Sequence, residues 1–92
     1  MKKVVKEYLE VYSPDDDKDT WFNKIKDVAE NQGYAREVKE FKAEPDKWPG
    51  HVGDVSTVIR VAVTGRRNTP DLYEILKVLG EEEVKERLKA VL

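Results

Sequence analysis

Thr57, Arg60, Thr64, Arg66, Arg67 and Thr69 crowd into one short stretch of the chain. Arginine presents a planar, permanently charged fork of N–H donors, which suits phosphate oxygens and base edges better than a lysine point charge does. Threonine hydroxyls can donate or accept. Residues 54–69 hold three arginines against Asp54, a local charge of +2, so the rest of the chain carries −4 of the total −2. That is the footprint of a local anion or nucleic-acid contact on an acidic protein. The same residues also fit an ordinary solvated helix face followed by a basic turn. Spacing alone leaves both readings open.

Other chemistry is poorly supplied. The chain has one histidine, His51, and no cysteine, which excludes a His and Cys zinc site and a cysteine nucleophile. Gly50 and Gly53 flank His51, but no glycine-rich loop ends in Gly-Lys-Ser/Thr, so there is no P-loop. His51 reads as a packing residue of its loop. Asp15, Asp16, Asp17 and Asp19 lack the alternation, central glycine and terminal glutamate of a calcium loop. They read as a solvated linker feeding a helix N-terminus, where negative charge is favourable. No catalytic residue and no metal ligand is expected.

The elements that must position the arginines follow from period and punctuation. Val5, Tyr8, Leu9 and Tyr12 share one face of a helix over 2–12, stopped by Pro14. Thr20 reads as the cap of a second helix with a Trp21, Ile25, Val28, Ala29 stripe, ended at Gly33. Tyr34, Val38 and Phe41 predict a third over 34–43, and residues 44–53 an aromatic loop. Asp54 reads as the cap of the fourth helix, with Val55, Val58, Ile59, Ala62 and Val63 on one side and Thr57, Arg60 and Thr64 on the other. A strand over Val58–Val63 is the weaker alternative, because Asp54 and Gly65 bracket a helix. Thr69 and Pro70 read as N-cap and first residue of a fifth helix, with Leu72, Ile75, Leu76 and Leu79 inward. After Gly80, residues 81–91 form the last helix, with Val84, Leu88 and Val91 inward. Its glutamates come first and Arg87 and Lys89 last, the order that the helix dipole favours. The class is all-α, a bundle of about five or six short helices.

Length and composition agree with this. Ninety-two residues make one domain, 1–92, read as an N-terminal helix with acidic linker (1–19) and a core (20–92). Charged residues reach 39%, enough to raise disorder, but the 39% apolar residues fall in periodic patterns. No run is long and apolar enough to span a membrane, and no apolar segment follows Met1-Lys2-Lys3. A cytoplasmic, soluble protein with no membrane partner is the expectation.

A longer pattern embraces the arginines. It comprises Gly50-His51-Val52-Gly53-Asp54-Val55, then Val58-Ile59-Arg60-Val61-Ala62-Val63-Thr64-Gly65-Arg66, then Thr69-Pro70-Asp71-Leu72-Tyr73-Glu74-Ile75-Leu76, and Leu79-Gly80. It resembles the C-terminal anticodon-binding region of bacterial glutamyl-tRNA synthetases, which are class I enzymes. That family shows a Leu/Ile-Arg-x-Ala-Leu/Val-Thr-Gly run, then Pro-x-Leu-(Tyr/Phe)-Glu-(Ile/Val)-Leu, then Leu-Gly-x-Glu and a terminal Arg-Leu. The stretch from Trp21 to Tyr34 matches as well, so the resemblance covers about residues 8–92.

The resemblance implies a helical domain of the class I synthetase anticodon-binding type that contacts the anticodon loop of tRNA(Glu). It implies that Arg60 and Thr69 read anticodon bases and that Leu72 packs against one. Thr57 and Lys26 are further contacts, with Arg66 and Arg67 on the RNA backbone. It also implies ATP and Mg2+ for the parent enzyme, none for this domain, and the remainder of the synthetase as a partner. The family's catalytic domain carries a His-x-Gly-His signature, which a chain with one histidine cannot hold. The chain is therefore expected to be a separate anticodon-binding piece that does not aminoacylate tRNA alone. Two other readings compete. One is a helical domain that docks on a protein. The other is a helix-turn-helix over 54–79, which Asp71 and Glu74 disfavour by opening its second helix with negative charge. No DNA partner is expected.

Overall fold

A computed structural model describes residues 2–69 and 71–92. Among these, six helices follow one another: α1 (Lys2–Val11), α2 (Lys18–Asn31), α3 (Val38–Ala43), α4 (Val52–Thr64), α5 (Leu72–Leu79) and α6 (Glu81–Val91). The all-α class stands, and Val58–Val63 is helical. The sole β feature among the described residues is a parallel bridge between Ala35 and His51.

The apolar stripes meet in one core. Val4, Val5 and Tyr8 of α1, Trp21, Ile25, Val28 and Ala29 of α2, Val52, Val55, Ile59 and Val63 of α4, Leu72 and Leu76 of α5, and Val84 and Leu88 of α6 are all buried. Each such aliphatic side chain contributes roughly 1.5–3 kcal/mol of burial energy. Residues set apart as an N-terminal helix and linker thus lend three side chains to the core. The α1–α2 linker is latched to α5. The Tyr73 hydroxyl donates to the Asp16 carbonyl at 2.9 Å, and the Lys77 ammonium donates to the Pro14 carbonyl at 2.5 Å. The Trp21 and Tyr73 rings meet at 5.6 Å beside this latch.

Helix starts differ from the sequence expectation. Asp17, not Thr20, caps α2, its carboxylate accepting from the Thr20 N–H at 2.8 Å. The α3 helix begins at Val38 rather than at residue 34, because Ala35 is held in the bridge, donating to the Gly50 carbonyl at 3.0 Å. Asp71, not Thr69, caps α5 and accepts from the Tyr73 N–H at 3.0 Å. The expected place of Pro70 in that helix lies outside the described residues. Val91, expected inward, stays 38% exposed near the end of α6.

Candidate nucleic-acid interface

The arginine-bearing helix is fixed at both ends. At its start His51 is the cap, and Asp54 is its reciprocal partner rather than the cap itself. The Gly53 N–H donates to His51 Nδ1 at 2.9 Å, and the His51 N–H donates to the Asp54 carboxylate at 2.9 Å. This is a capping box built on imidazole. The ring also meets Phe41 edge-on at 5.2 Å, which confirms His51 as a packing residue. Gly50 is needed for close approach. A Cβ there would run into the Asp54 carboxylate and lie 3.2 Å from the Tyr34 ring.

At its other end α4 stops at Gly65, whose φ of 74° lies in the left-handed region that favours glycine. The Thr64 hydroxyl lies 2.7 Å from the Arg60 carbonyl and accepts from the Arg66 N–H at 3.1 Å. That pins the basic turn against the last turn of the helix. Arg87, read from sequence as serving its own helix, reaches across from α6. Its guanidinium donates to the Val63 carbonyl at 2.8 Å and to Glu83 at 2.8 Å. It satisfies one of the carbonyls that a helix end leaves open. No local signal marks this role, because the Glu83–Arg87 spacing is that of an ordinary helical ion pair.

The electrostatics separate the five arginines of the chain into two kinds. Arg36 pairs with Asp27 and Arg87 with Glu83. Arg60, Arg66 and Arg67 make no ion pair among the described residues. Half-buried Arg60 has a buried Nε with no hydrogen-bond partner among them. Asp54, the acid that lowers the local charge to +2, sits in the first turn of α4, roughly 15 Å along the axis from Gly65. That exceeds the ~8 Å Debye length at physiological salt. Asp54 therefore offsets little of the charge of the basic turn.

The remaining expected residues fall in different places. Thr57 donates to the Gly53 carbonyl at 2.9 Å and lines, with Arg67, a groove beside α4. Thr69 is half-buried in the turn before Asp71. Leu72 is 1% exposed and its side chain belongs to the core, so it presents no surface to a base in this structure. Lys26 pairs with Glu37 at 2.8 Å and lies over the Phe22 ring at 4.9 Å, so its contacts are with α2 and the α3 cap. The described residues contain no cluster of His, Asp and Glu able to hold a metal ion. None of their helices is long and apolar enough to cross a membrane.

Comparison with known proteins adds a family. The chain matches the anticodon binding domain family over residues 1–92. It is 53% identical over 91 residues to the glutamate–tRNA ligase of Acetivibrio thermocellus, covering 99% of this chain and 17% of that protein. It is 51% identical over 85 residues to the Sorangium cellulosum glutamate–tRNA ligase, covering 92% and 15% respectively. A Clostridium perfringens glutamate–tRNA ligase is 45% identical over 91 residues, covering 99% and 16%. The 92 residues thus span less than a fifth of the curated relatives they match. No solved structure gives a significant match.

Proposed function

The chain belongs to the anticodon binding domain family, and from that premise we propose that it reads the anticodon loop of tRNA(Glu) for a glutamate–tRNA ligase. The rest of the synthetase supplies ATP-dependent ligation with Mg2+, and this chain supplies no catalytic group. One observation carries the reading. Among the described residues Arg60, Arg66 and Arg67 make no ion pair, and they gather on the last turns of α4 and the turn after it. RNA recognition of this kind targets unstacked loop bases, by hydrogen bonds and stacking. Arg60, on the polar stripe of α4 and without an ion pair among the described residues, is the base-reading group, and Thr69 stands with it. Arg66 and Arg67 take phosphates, and Thr57 is a polar contact one turn before Arg60.

The test is a titration of the tRNA(Glu) anticodon stem-loop against an unrelated stem-loop. Arg60→Ala should lower discrimination between the two by about 1–3 kcal/mol, as for other base-contacting arginines. Arg66→Ala should weaken both RNAs alike and reduce the salt slope by about one phosphate contact. Equal binding of both stem-loops by the unaltered chain would refute base reading. A helical domain that docks on protein has no comparable support, since its partner would have to satisfy the same three guanidinium groups with carboxylates.

A further inference from the structure

The α5 helix holds more aliphatic side chains than the core uses. Leu72 and Leu76 are buried, and Leu79 packs on the core as a partly buried residue. Ile75, which the sequence places inward, is half-buried but is not among the described residues that pack on the core. Val78 is 85% exposed, the most open of the large apolar side chains among the described residues. Steps of three and four put Ile75, Val78 and Leu79 on a second apolar stripe that continues around the helix from the buried one. A shallow hollow of about 210 Å³ lies over it, lined by Asp71, Glu74, Ile75, Val78 and Leu79. A helix that is apolar on two sides is one that is covered on both. Valine is also a poor helix former, so an exposed Val78 is favoured neither by propensity nor by solvation.

We infer that this stripe of α5 docks a helix from the rest of a glutamate–tRNA ligase, one that carries Lys or Arg beside its apolar residues. An aliphatic stripe of this kind takes the apolar face of an amphipathic helix. Charge chooses the rest of that helix. The charged groups lining the hollow are Asp71 and Glu74, with no cation among the described residues, so the complementary surface is basic. Asp71 already meets Lys18 at 2.5 Å. Glu74 makes no ion pair among the described residues and is left to take the incoming cation. Length chooses the source. The chain covers 17%, 15% and 16% of the three ligases described above, so most of such an enzyme lies outside it. A second copy fits less well, because two-fold pairing through the same stripe sets Glu74 against Glu74. RNA phosphates meet the same two acids. Arg60, Arg66 and Arg67 lie outside this face and stay available to RNA. The inference rests on the reading of this chain as part of a glutamate–tRNA ligase, and not on its RNA contacts.

The chain has no cysteine, so one introduced thiol reports on one site. The test is the rate of maleimide labelling of Val78→Cys in two settings, read by mass spectrometry of the labelled peptide. One is the free chain. The other is a full-length ligase in which this chain replaces the matching segment of the Acetivibrio thermocellus enzyme. Docking should slow labelling in the ligase by about tenfold or more, since a face covered ~90% of the time is open for about a tenth of it. Val38→Cys, on α3 and 39% exposed, should keep its free rate within about twofold. Thermal melts establish that both variants fold. In the ligase, Glu74→Lys should return the labelling of Val78→Cys most of the way to the free rate, and Glu74→Gln less so. Equal rates for Val78→Cys in the two settings, or equal slowing of Val38→Cys, overturn the proposal. So does slowing in the free chain that grows with its concentration, which assigns the face to a second copy, or slowing that needs added tRNA, which assigns it to RNA. If Val78→Cys is protected in the ligase while the chain ignores the stem-loop, the docking stands and the anticodon reading does not. If the stem-loops are discriminated while Val78→Cys is labelled freely in the ligase, the converse holds.

Discussion

Leu72 sits where packing and recognition compete for one side chain. At 1% exposure it belongs to the core. Leu72→Ala should therefore cost about 2–5 kcal/mol of stability, read by urea unfolding. Near-neutral stability with weakened RNA binding would instead return it to the interface. Gly50 faces the opposite constraint. A Cβ there would be 3.2 Å from Tyr34 and would collide with the Asp54 carboxylate that closes the α4 cap. Gly50→Ala should cost about 1–3 kcal/mol in the same measurement, as overpacking does. At this scale Gly65 was legible, because a glycine that follows a helical stripe marks its end locally. The part of Thr64 in holding Arg66 was not, since a hydroxyl on a polar stripe looks equally free to meet RNA.

Helix existence was legible from the apolar period, and helix starts were not. Asp17 and Thr20 are both good caps, and the choice depends on where the chain turns. The latch from Tyr73 to Asp16 and from Lys77 to Pro14 sets that turn from fifty and more residues away. His51 is not a usual cap at all. It serves because Gly53 lets the ring reach its N–H, where a Cβ would lie 2.5 Å from His51 Cε1. The caps also carry a pH dependence. The Thr20 N–H holds the Asp17 carboxyl below the usual range, and the Lys18 ammonium does the same for Asp71. Their stabilisation is complete above the unfolded aspartate value of about 4 and is lost as pH falls through the lower folded values. The melting temperature should thus drop on the acid side. Asp17→Asn keeps a capping oxygen without a titrating one, so its acid-side drop should be smaller. An unchanged profile would remove Asp17 from that account. Arg87→Ala frees the Val63 carbonyl and should loosen the α4 end, lowering stability by about 1 kcal/mol in urea unfolding.

For the whole molecule, the net charge of −2 conceals a division. Glu81, Glu82 and Glu83 crowd the first turn of α6, and Asp17 and Asp19 the start of α2. Arg60, Arg66 and Arg67, which make no ion pair among the described residues, lie toward the end of α4 and in the turn after it. The sign of the total charge therefore misleads about partners, and the segment's charge is the useful guide. With two phosphates met, by Arg66 and Arg67, the slope of log K against log salt should be about −1.4 on single-stranded RNA. The groove beside α4 was beyond sequence reading for a related reason. Lys2, Thr57, Arg67 and Val91 come from elements spread along the chain, and only the packing of α1, α4 and α6 assembles them.

The most direct test of the central claim is an amide NMR titration of the whole chain with the tRNA(Glu) anticodon stem-loop at low salt. The account predicts that signals from residues 57–69 shift first and furthest, while those of Glu81, Glu82 and of the α2 start stay in place. Shifts centred on the acidic helix starts, or the same pattern with an unrelated stem-loop, would contradict it.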